Sequence, residues 1–168
     1  MSLDAVNALP RADFIDRFGF LFEHSPWVVE AAADQRPFAD VAALQGALNG
    51  VVQAAGEEAQ LALLRAHPEL AGKAAIDRTL TAASTAEQAS AGLNRLTPEE
   101  FAEFHALNAA YRERFGFPFI ICVRLTNKAG ILAAMRARLD SDRETEITTA
   151  LGEVAKIVHL RLEETLHG

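Results

Sequence analysis

The sequence predicts an all-α protein, folded as a single-domain bundle of roughly eight helices over residues 1–168. Apolar residues recur every three or four positions along most of the chain, which is the spacing of one helix face. Residues that cap helices precede several of these stretches. No strand-rich region, internal repeat, low-complexity tract or long linker interrupts them. A chain of this size fits one domain and buries about 70% of its unfolded surface, so it needs no disulfide or metal to fold.

Helices in the N-terminal half follow from apolar spacing and from capping residues. The spacing predicts a first helix within 11–23. Ser25 as an N-cap, with Pro26 at the first helical position, predicts a short second helix that ends at Ala33. Asp40 is expected to cap a third helix. The third helix ends at Gly56, and a fourth covers 57–66 and stops before His67 and Pro68.

The C-terminal half contains three capping boxes of the form Ser/Thr-x-x-Glu, each of which predicts a helix start. They begin at Ser84, Thr97 and Ser141. The second of these helices ends at Gly116 and the third near His167. Between them lie a short apolar run at 117–123 and a predicted helix at 128–139.

The run at 117–123 is rich in aromatic and β-branched residues, but Pro118 excludes an ordinary helix interior. A single strand without a partner forms no sheet. We therefore expect a buried extended connector, or an extended start to the next helix.

Composition and charge disfavour several classes of protein. The net charge of −7 and an isoelectric point near 5.2 disfavour attraction to nucleic acid or to an anionic membrane surface. No apolar run approaches the roughly 20 residues that span a bilayer. The first residues lack the basic start of a secretory signal, and the last are not a peroxisomal address. We therefore expect a cytoplasmic protein that binds neither nucleic acid nor a membrane.

Metal binding is not expected. His159, Glu163 and His167 follow one another at spacings of four. Residues eight apart are separated by about 12 Å of helix rise, so the two histidines cannot bind one ion. Cys122 is the single cysteine, which excludes an intrachain disulfide and a multi-cysteine site. Because it lies in an apolar run with no basic neighbour on its N-terminal side, we expect a buried, inert thiol.

Four polar residues are candidates for chemistry, and each has a structural alternative. His67 is either a helix-terminal histidine near the last carbonyls or a titratable imidazole on a rigid turn. Glu87 is either the last member of a capping box or part of an anion site at a helix N-terminus. Arg161 continues an apolar stripe on the last helix, so its head either reaches water or binds an anion in a pocket. Asn108, on the apolar face of its helix, is explained equally well by a buried hydrogen bond.

Taken together, three motifs resemble one known family. They are His67-Pro68-Glu69-Leu70, then Ser84-x-x-Glu87-Gln88 with Gly92-Leu93, then Phe104 and Asn108-x-x-Tyr111-x-x-x-Phe115-Gly116-Phe117-Pro118-Phe119-Ile120. The chain is similar over nearly its whole length to the OHCU decarboxylases, which act on 2-oxo-4-hydroxy-4-carboxy-5-ureidoimidazoline. The resemblance implies a carboxy-lyase of urate degradation that needs no cofactor, forms a homodimer, and gives (S)-allantoin and CO2 from this small-molecule substrate.

The resemblance also implies a site. His67 and Glu87 are the expected catalytic residues, with His67 in proton transfer and Glu87 holding or deprotonating the substrate hydroxyl. Arg161 is expected to pair with a polar substrate atom such as the ureido oxygen. The other expected substrate-binding residues are Pro68, Ser84, Thr85, Ala86, Gln88, Phe119, Ile120, Ile121, Cys122 and Val123.

Two other functions fit the same residues. A ring hydrolase acting on a neighbouring intermediate would use the same histidine and glutamate to activate water. A helical interaction module would instead use aromatic surfaces as an interface, with His67 only as a cap. The aromatic residues in question are Phe20, Phe22, Trp27, Phe117 and Phe119.

Overall fold

The protein is all-α, as predicted. The structure is a computed structural model that describes residues 1–71 and 80–166, and these contain nine α-helices, two short 3₁₀ turns and no β-strand. The helices are α1 (Leu3–Ala8), α2 (Arg11–Phe18), α3 (Trp27–Ala33), α4 (Val41–Ala54), α5 (Glu57–Ala66), α6 (Ala82–Ser90), α7 (Pro98–Phe115), α8 (Lys128–Arg138) and α9 (Arg143–Leu166). In the part of the chain that is described, no helix is both long and apolar enough to cross a bilayer.

The chain groups into two compact units. One consists of Met1–Ala66 with Ala155–Gly168, and the other of His67–Val154. Helix α9 contributes residues to both, because its range includes the boundary. The expectation of one domain over 1–168 stays a prediction.

The core of the first unit is formed mainly by α2, α3 and α4. Phe14 and Phe18 are buried on α2 with ring centroids 4.9 Å apart, and α3 packs on both neighbouring helices. The helix predicted within 11–23 is shorter than expected. It ends at Phe18, and Gly19–Leu21 forms a 3₁₀ turn. Helix α1 was not predicted, since six residues are too few to show a period.

Capping in the first unit follows the prediction at one site and departs from it at another. The Asp40 carboxylate accepts the Ala43 N–H at 2.7 Å and caps α4, as predicted. The prediction that Ser25 caps α3 is wrong. Its hydroxyl donates to the Glu23 carbonyl at 3.2 Å, and α3 begins at Trp27 after Pro26.

The second unit is centred on α7 and an aromatic cluster. Tyr111 lies within 6 Å, ring centroid to centroid, of three phenylalanines that are themselves buried. These are Phe115, Phe117 and Phe119. Two of them belong to the predicted connector, which has no regular structure until the 3₁₀ turn Val123–Leu125. The prediction of a buried connector without helix is confirmed.

Of the three predicted capping boxes, one is confirmed. Thr97 accepts the Glu100 N–H at 3.1 Å, and the Glu100 carboxylate accepts the Thr97 N–H at 3.0 Å. Helix α6 starts two residues before Ser84 and is capped by Thr81, whose hydroxyl accepts the Ser84 N–H at 3.2 Å. The Ser84 box is therefore wrong, because an earlier threonine takes the cap.

The start of α9 is also displaced from its predicted capping residue. Asp142, not Ser141, holds the first turn, since its carboxylate accepts the Thr145 N–H at 2.8 Å. The hydrogen bonds that the Thr145 N–H and hydroxyl donate to this carboxylate lower the pKa of Asp142. Aspartate caps a helix as well as serine does, and its negative charge is also favoured at a helix N-terminus, so Asp142 is an equally good cap one residue further on.

Candidate active site

Most of the predicted site residues lie on three stretches of the second unit. These are the turn that begins at His67 and Pro68, helix α6 with residues 84–88, and the connector 119–123. Arg161 lies on α9 in the first unit. The turn and the connector have no regular secondary structure over most of their length, so their peptide groups depend on side chains for partners.

The turn after His67 is joined to α6 by Gln88. The Gln88 side-chain oxygen accepts the Ala71 N–H at 3.0 Å, and its amide nitrogen donates to the Glu69 carbonyl at 3.4 Å. Gln88 is buried, as is expected of an amide that satisfies backbone groups. Glu87 directly precedes Gln88 on α6. The hydrogen bonds of Gln88 therefore join the helix that carries Glu87 to the turn that follows His67.

A second amide holds the same turn from α7. Asn108 is buried and donates from Nδ2 to the Leu70 carbonyl at 2.8 Å. The alternative of a buried hydrogen bond for Asn108 is thus confirmed. Arg112, one turn further along, pairs with the Glu69 carboxylate at 3.0 Å. The residues that follow His67 are therefore held from two helices at once.

The geometry of α6 changes the interpretation of Glu87. Since the helix begins at Ala82, Glu87 lies beyond its first turn and is not the last member of a capping box. Since the free N–H groups of a helix start belong to its first turn, Glu87 does not lie at a helix N-terminus, and its expected role in binding substrate stays a prediction. Among its neighbours, Ser84 is buried, whereas Thr85 is exposed and donates its hydroxyl to the Thr81 carbonyl at 2.9 Å. Ala86 is exposed as well.

The connector lies beside α6, against which the 3₁₀ turn Val123–Leu125 packs. Cys122 is 2% exposed. Burial raises the pKa of its thiol, and the nearby carboxylates of Glu153 and Glu87 raise it further. The expected burial of Cys122 is confirmed, and a raised pKa disfavours the reactive thiolate, as is expected of an inert cysteine. The same electrostatic contact places Glu87 near the connector.

Sequence reasoning missed the residues that hold the connector. Arg138 donates to the Ile120 carbonyl at 2.6 Å, and the Glu153 carboxylate accepts the Cys122 N–H at 3.1 Å. Arg138 also pairs with Glu146 at 2.7 Å, and Tyr111 donates its hydroxyl to the same carboxylate at 2.6 Å. One signal was present in the sequence, because Glu146 is in helical register with the apolar stripe of α9.

Arg161 is buried rather than solvated. Its guanidinium pairs with the Glu23 carboxylate at 3.1 Å and donates to the Phe20 carbonyl at 2.7 Å. The alternative in which its head reaches water is wrong, because the side chain is only 2% exposed. Its predicted contact with a substrate atom stays a prediction.

No metal centre is found among residues 1–71 and 80–166, where no group of three or more histidine, cysteine or acidic side chains lies close enough to hold an ion. His159 pairs with Glu163 at 3.1 Å on an exposed face of α9. His167, the third residue of that pattern, lies outside the described residues.

Comparison with known proteins decides the family. The profile of the OHCU decarboxylase family matches residues 7–163. The chain belongs to the OHCU decarboxylase family. The resemblance inferred from the motifs is confirmed, and with it the prediction that the protein is a carboxy-lyase.

Individual relatives agree with this membership. The 2-oxo-4-hydroxy-4-carboxy-5-ureidoimidazoline decarboxylase of Haloferax volcanii is 48% identical over 98% of this chain and 95% of its own length. The protein of the same name from Mus musculus is 40% identical over 99% of this chain and 93% of its own.

Solved structures agree at the level of the fold. A crystal structure of (S)-allantoin synthase has a TM-score of 0.75 at 29% identity, covering 98% of this chain and 54% of that one. The chain thus spans about half the length of the (S)-allantoin synthase chain. A crystal structure of an OHCU decarboxylase in the presence of (S)-allantoin has a TM-score of 0.73 at 21% identity, and shows the shared fold.

Proposed function

We propose that the protein catalyses the cofactor-independent decarboxylation of 2-oxo-4-hydroxy-4-carboxy-5-ureidoimidazoline to (S)-allantoin and CO2, in urate catabolism. One geometric observation carries the proposal. Gln88 hydrogen-bonds the turn that follows His67, and so links the segments of His67 and Glu87 within one compact unit. The family relationship supplies the reaction class, and the names of the relatives supply the substrate.

The chemistry of this substrate needs no external electron sink. The carbon that carries the carboxylate adjoins a ring C=N bond. When the C–CO2 bond breaks, its electron pair forms a C=C bond, and the C=N pair takes up a proton at nitrogen. The hydroxyl then loses its proton as it becomes a carbonyl, and a proton adds to the neighbouring carbon on one face. Every step is a proton transfer or a bond shift within the substrate.

In this scheme His67 and Glu87 divide the proton transfers. His67 acts beside the leaving carboxylate, since the imidazole of histidine is the side chain that most readily gives and takes protons near neutrality. Such a contribution is worth roughly 10²–10⁴-fold in rate. Glu87 holds or deprotonates the hydroxyl, and orients the ring. The location of Glu87 near Cys122 supports its action on a ring bound at the connector.

The connector is proposed to bind the ring amides through its backbone. Among the described residues, no hydrogen bond joins the N–H or the C=O of Ile121 to protein. Ile121 is half-buried between residues whose side chains are buried. A polar backbone in such a place is stabilised by a partner, and a cyclic ureide supplies both a donor and an acceptor.

The remaining features of the proposal come from the family resemblance. They are a homodimer, with no cofactor and a small-molecule substrate, and the proposed place in the cytoplasm comes from composition and charge. Light scattering on a size-exclusion column tests the dimer. A mass twice that of the 18.2 kDa chain supports it, and the mass of one chain contradicts it.

The decisive experiment supplies freshly made substrate, because the compound is unstable. Urate oxidase and hydroxyisourate hydrolase generate it in place, and circular dichroism follows the optically active product. A fast signal of (S)-allantoin with release of CO2 is the expected result. Slow appearance of racemic allantoin at the uncatalysed rate contradicts the proposal. Consumption of substrate with uptake of water and no CO2 identifies a hydrolase instead.

A further inference from the structure

The connector 119–123 is held by two side chains that bond to its backbone. Arg138 donates to the Ile120 carbonyl, and Glu153 accepts the Cys122 N–H. Both residues belong to the same compact unit as the connector. Neither residue belongs to the motifs that carry the family resemblance.

These two bonds orient the peptide groups on either side of Ile121. Both peptide bonds are trans, and in a trans peptide the C=O and the N–H point in opposite directions. With the Ile120 carbonyl directed at Arg138, the Ile121 N–H points away from that arginine. With the Cys122 N–H directed at Glu153, the Ile121 carbonyl points away from that glutamate. Both polar groups of Ile121 are therefore aimed by side chains of other residues.

Arg138 is itself rigidly placed. Its Nε pairs with the Glu146 carboxylate, which is 2% exposed and also accepts the Tyr111 hydroxyl. Its guanidinium lies 4.4 Å from the centroid of the Phe119 ring. Loss of Arg138 leaves a buried carboxylate without its cation, so this residue is a poor choice for substitution. Glu153 is half-buried and bonds the other peptide, and it tests the same arrangement with less risk to folding.

We propose that Glu153 is a positioning residue for the substrate: by accepting the Cys122 N–H, it directs the Ile121 carbonyl at an N–H of a cyclic ureide ring. This inference rests on the proposed function, whose substrate and product both carry such rings. Glu153 acts through the backbone of Ile121 and Cys122, and needs no contact with the reacting atoms. The Glu153 carboxylate is close enough to the connector to raise the pKa of the Cys122 thiol, as the Glu87 carboxylate also does.

The test compares three variants with the wild-type protein. Glu153→Gln keeps a side-chain oxygen that can accept the Cys122 N–H, and Glu153→Ala removes it. Glu144→Ala is the matched control, since Glu144 is an exposed glutamate on the same helix. Thermal melting of each variant reports folding. Turnover gives KM and kcat separately, and calorimetry with (S)-allantoin gives a dissociation constant without turnover.

We expect the freed peptide to weaken binding more than chemistry, because the Ile121 carbonyl would hold the ring alike in the bound substrate and in the transition state. For Glu153→Ala we expect KM and the dissociation constant to rise about tenfold, with kcat changed less than about threefold. For Glu153→Gln we expect both within about twofold of wild type, because acceptance of the bond is retained. The Glu144→Ala control is expected to match wild type.

Three results overturn the inference. They are an unchanged KM in Glu153→Ala, an equal defect in Glu153→Gln, and an equal defect in the control. If Glu153→Ala fails to fold, Glu153→Asp replaces it, since the shorter side chain withdraws the carboxylate from Cys122. If the wild-type protein shows no turnover, the proposed function fails, and the calorimetric comparison still tests Glu153. Absence of (S)-allantoin binding to wild type overturns both.

Discussion

Arg161 and Glu23 form an ion pair that is closed to solvent, with the guanidinium Nη2 3.1 Å from the carboxylate Oε1 and each side chain 2% exposed. Arg161 also donates to the Phe20 carbonyl at 2.7 Å. The pair links the last helix to the segment after α2 within the first unit. A charge buried this deeply is tolerated only with such partners, because each ion has lost its hydration.

Removal of one partner is therefore expected to destabilise the protein strongly. Arg161→Met leaves the Glu23 carboxylate buried and uncompensated, and we expect a loss of about 3–5 kcal/mol in the free energy of unfolding. Urea denaturation measures it. Arg11→Met is the control, since the Arg11–Asp34 pair is exposed and its loss is expected to change the midpoint far less. Equal shifts in the two variants contradict this prediction.

The double variant Glu23→Leu with Arg161→Met sharpens the test. Replacing both charges by apolar groups removes the unpaired ion, so much of the lost stability is expected to return. A double variant as unstable as Arg161→Met alone shows that packing around the arginine, and not its charge, is what matters.

This ion pair also shows which contacts cannot be predicted from the sequence. A charged residue in register with the apolar stripe of α9 marks Arg161 as unusual. Its partner lies 138 residues away, and no local pattern connects the two positions. The same is true of Arg138 and Glu153, whose bonds to the connector span 18 and 31 residues. Such contacts are decided by tertiary packing, which periodicity does not encode.

The positions of helix caps were more predictable, to within about one helical turn. Asp40 and Thr97 cap their helices as predicted because no competing residue stands beside them. Ser84 and Ser141 do not, because Thr81 offers a cap three residues before the first and Asp142 offers one directly after the second. Where adjacent residues can both cap a helix, the packing of its apolar face selects the register, and the sequence alone leaves the choice open.

The confirmed capping box at the start of α7 gives a prediction of stability. Thr97→Ala removes the hydroxyl that accepts the Glu100 N–H, and we expect a loss of about 1 kcal/mol. Thr97→Ser keeps an accepting hydroxyl and is expected to stay close to wild type. Chemical denaturation of the three proteins measures the difference. If serine is as destabilising as alanine, the effect lies in the lost methyl group and not in the cap.

Tyr111 predicts an alkaline limit to stability. Burial raises the pKa of its hydroxyl above the ordinary value of about 10, and the bond to Glu146 raises it further. The unfolded chain thus releases this proton at a lower pH than the folded one. The resulting stabilisation is complete below about pH 10, and is lost as pH rises toward the folded-state pKa.

Absorbance of the phenolate measures this directly, because Tyr111 is the single tyrosine of the chain. The folded protein is expected to show no phenolate as pH passes about 10, whereas the protein in denaturant titrates near that value. Ionisation at high pH is then expected to coincide with loss of helical circular dichroism. Tyr111→Phe serves as the blank. A folded protein that titrates near pH 10 would show that the hydroxyl is open to water.

The role of His67 is tested by a substitution that keeps its size and polarity. His67→Asn removes the titratable imidazole, and we expect turnover to fall by roughly 10²–10⁴-fold. His67 follows the end of α5 and is half-buried, so the variant is expected to melt near the wild-type temperature. His105→Asn is the control, since His105 is exposed and stacks on Phe101.

A His67→Asn protein that keeps wild-type turnover would leave the histidine only a structural role at the helix end. A variant that loses turnover together with its fold would also indicate a structural role. Lost turnover in a fully folded variant, with an active His105→Asn protein beside it, assigns the proton transfer to His67.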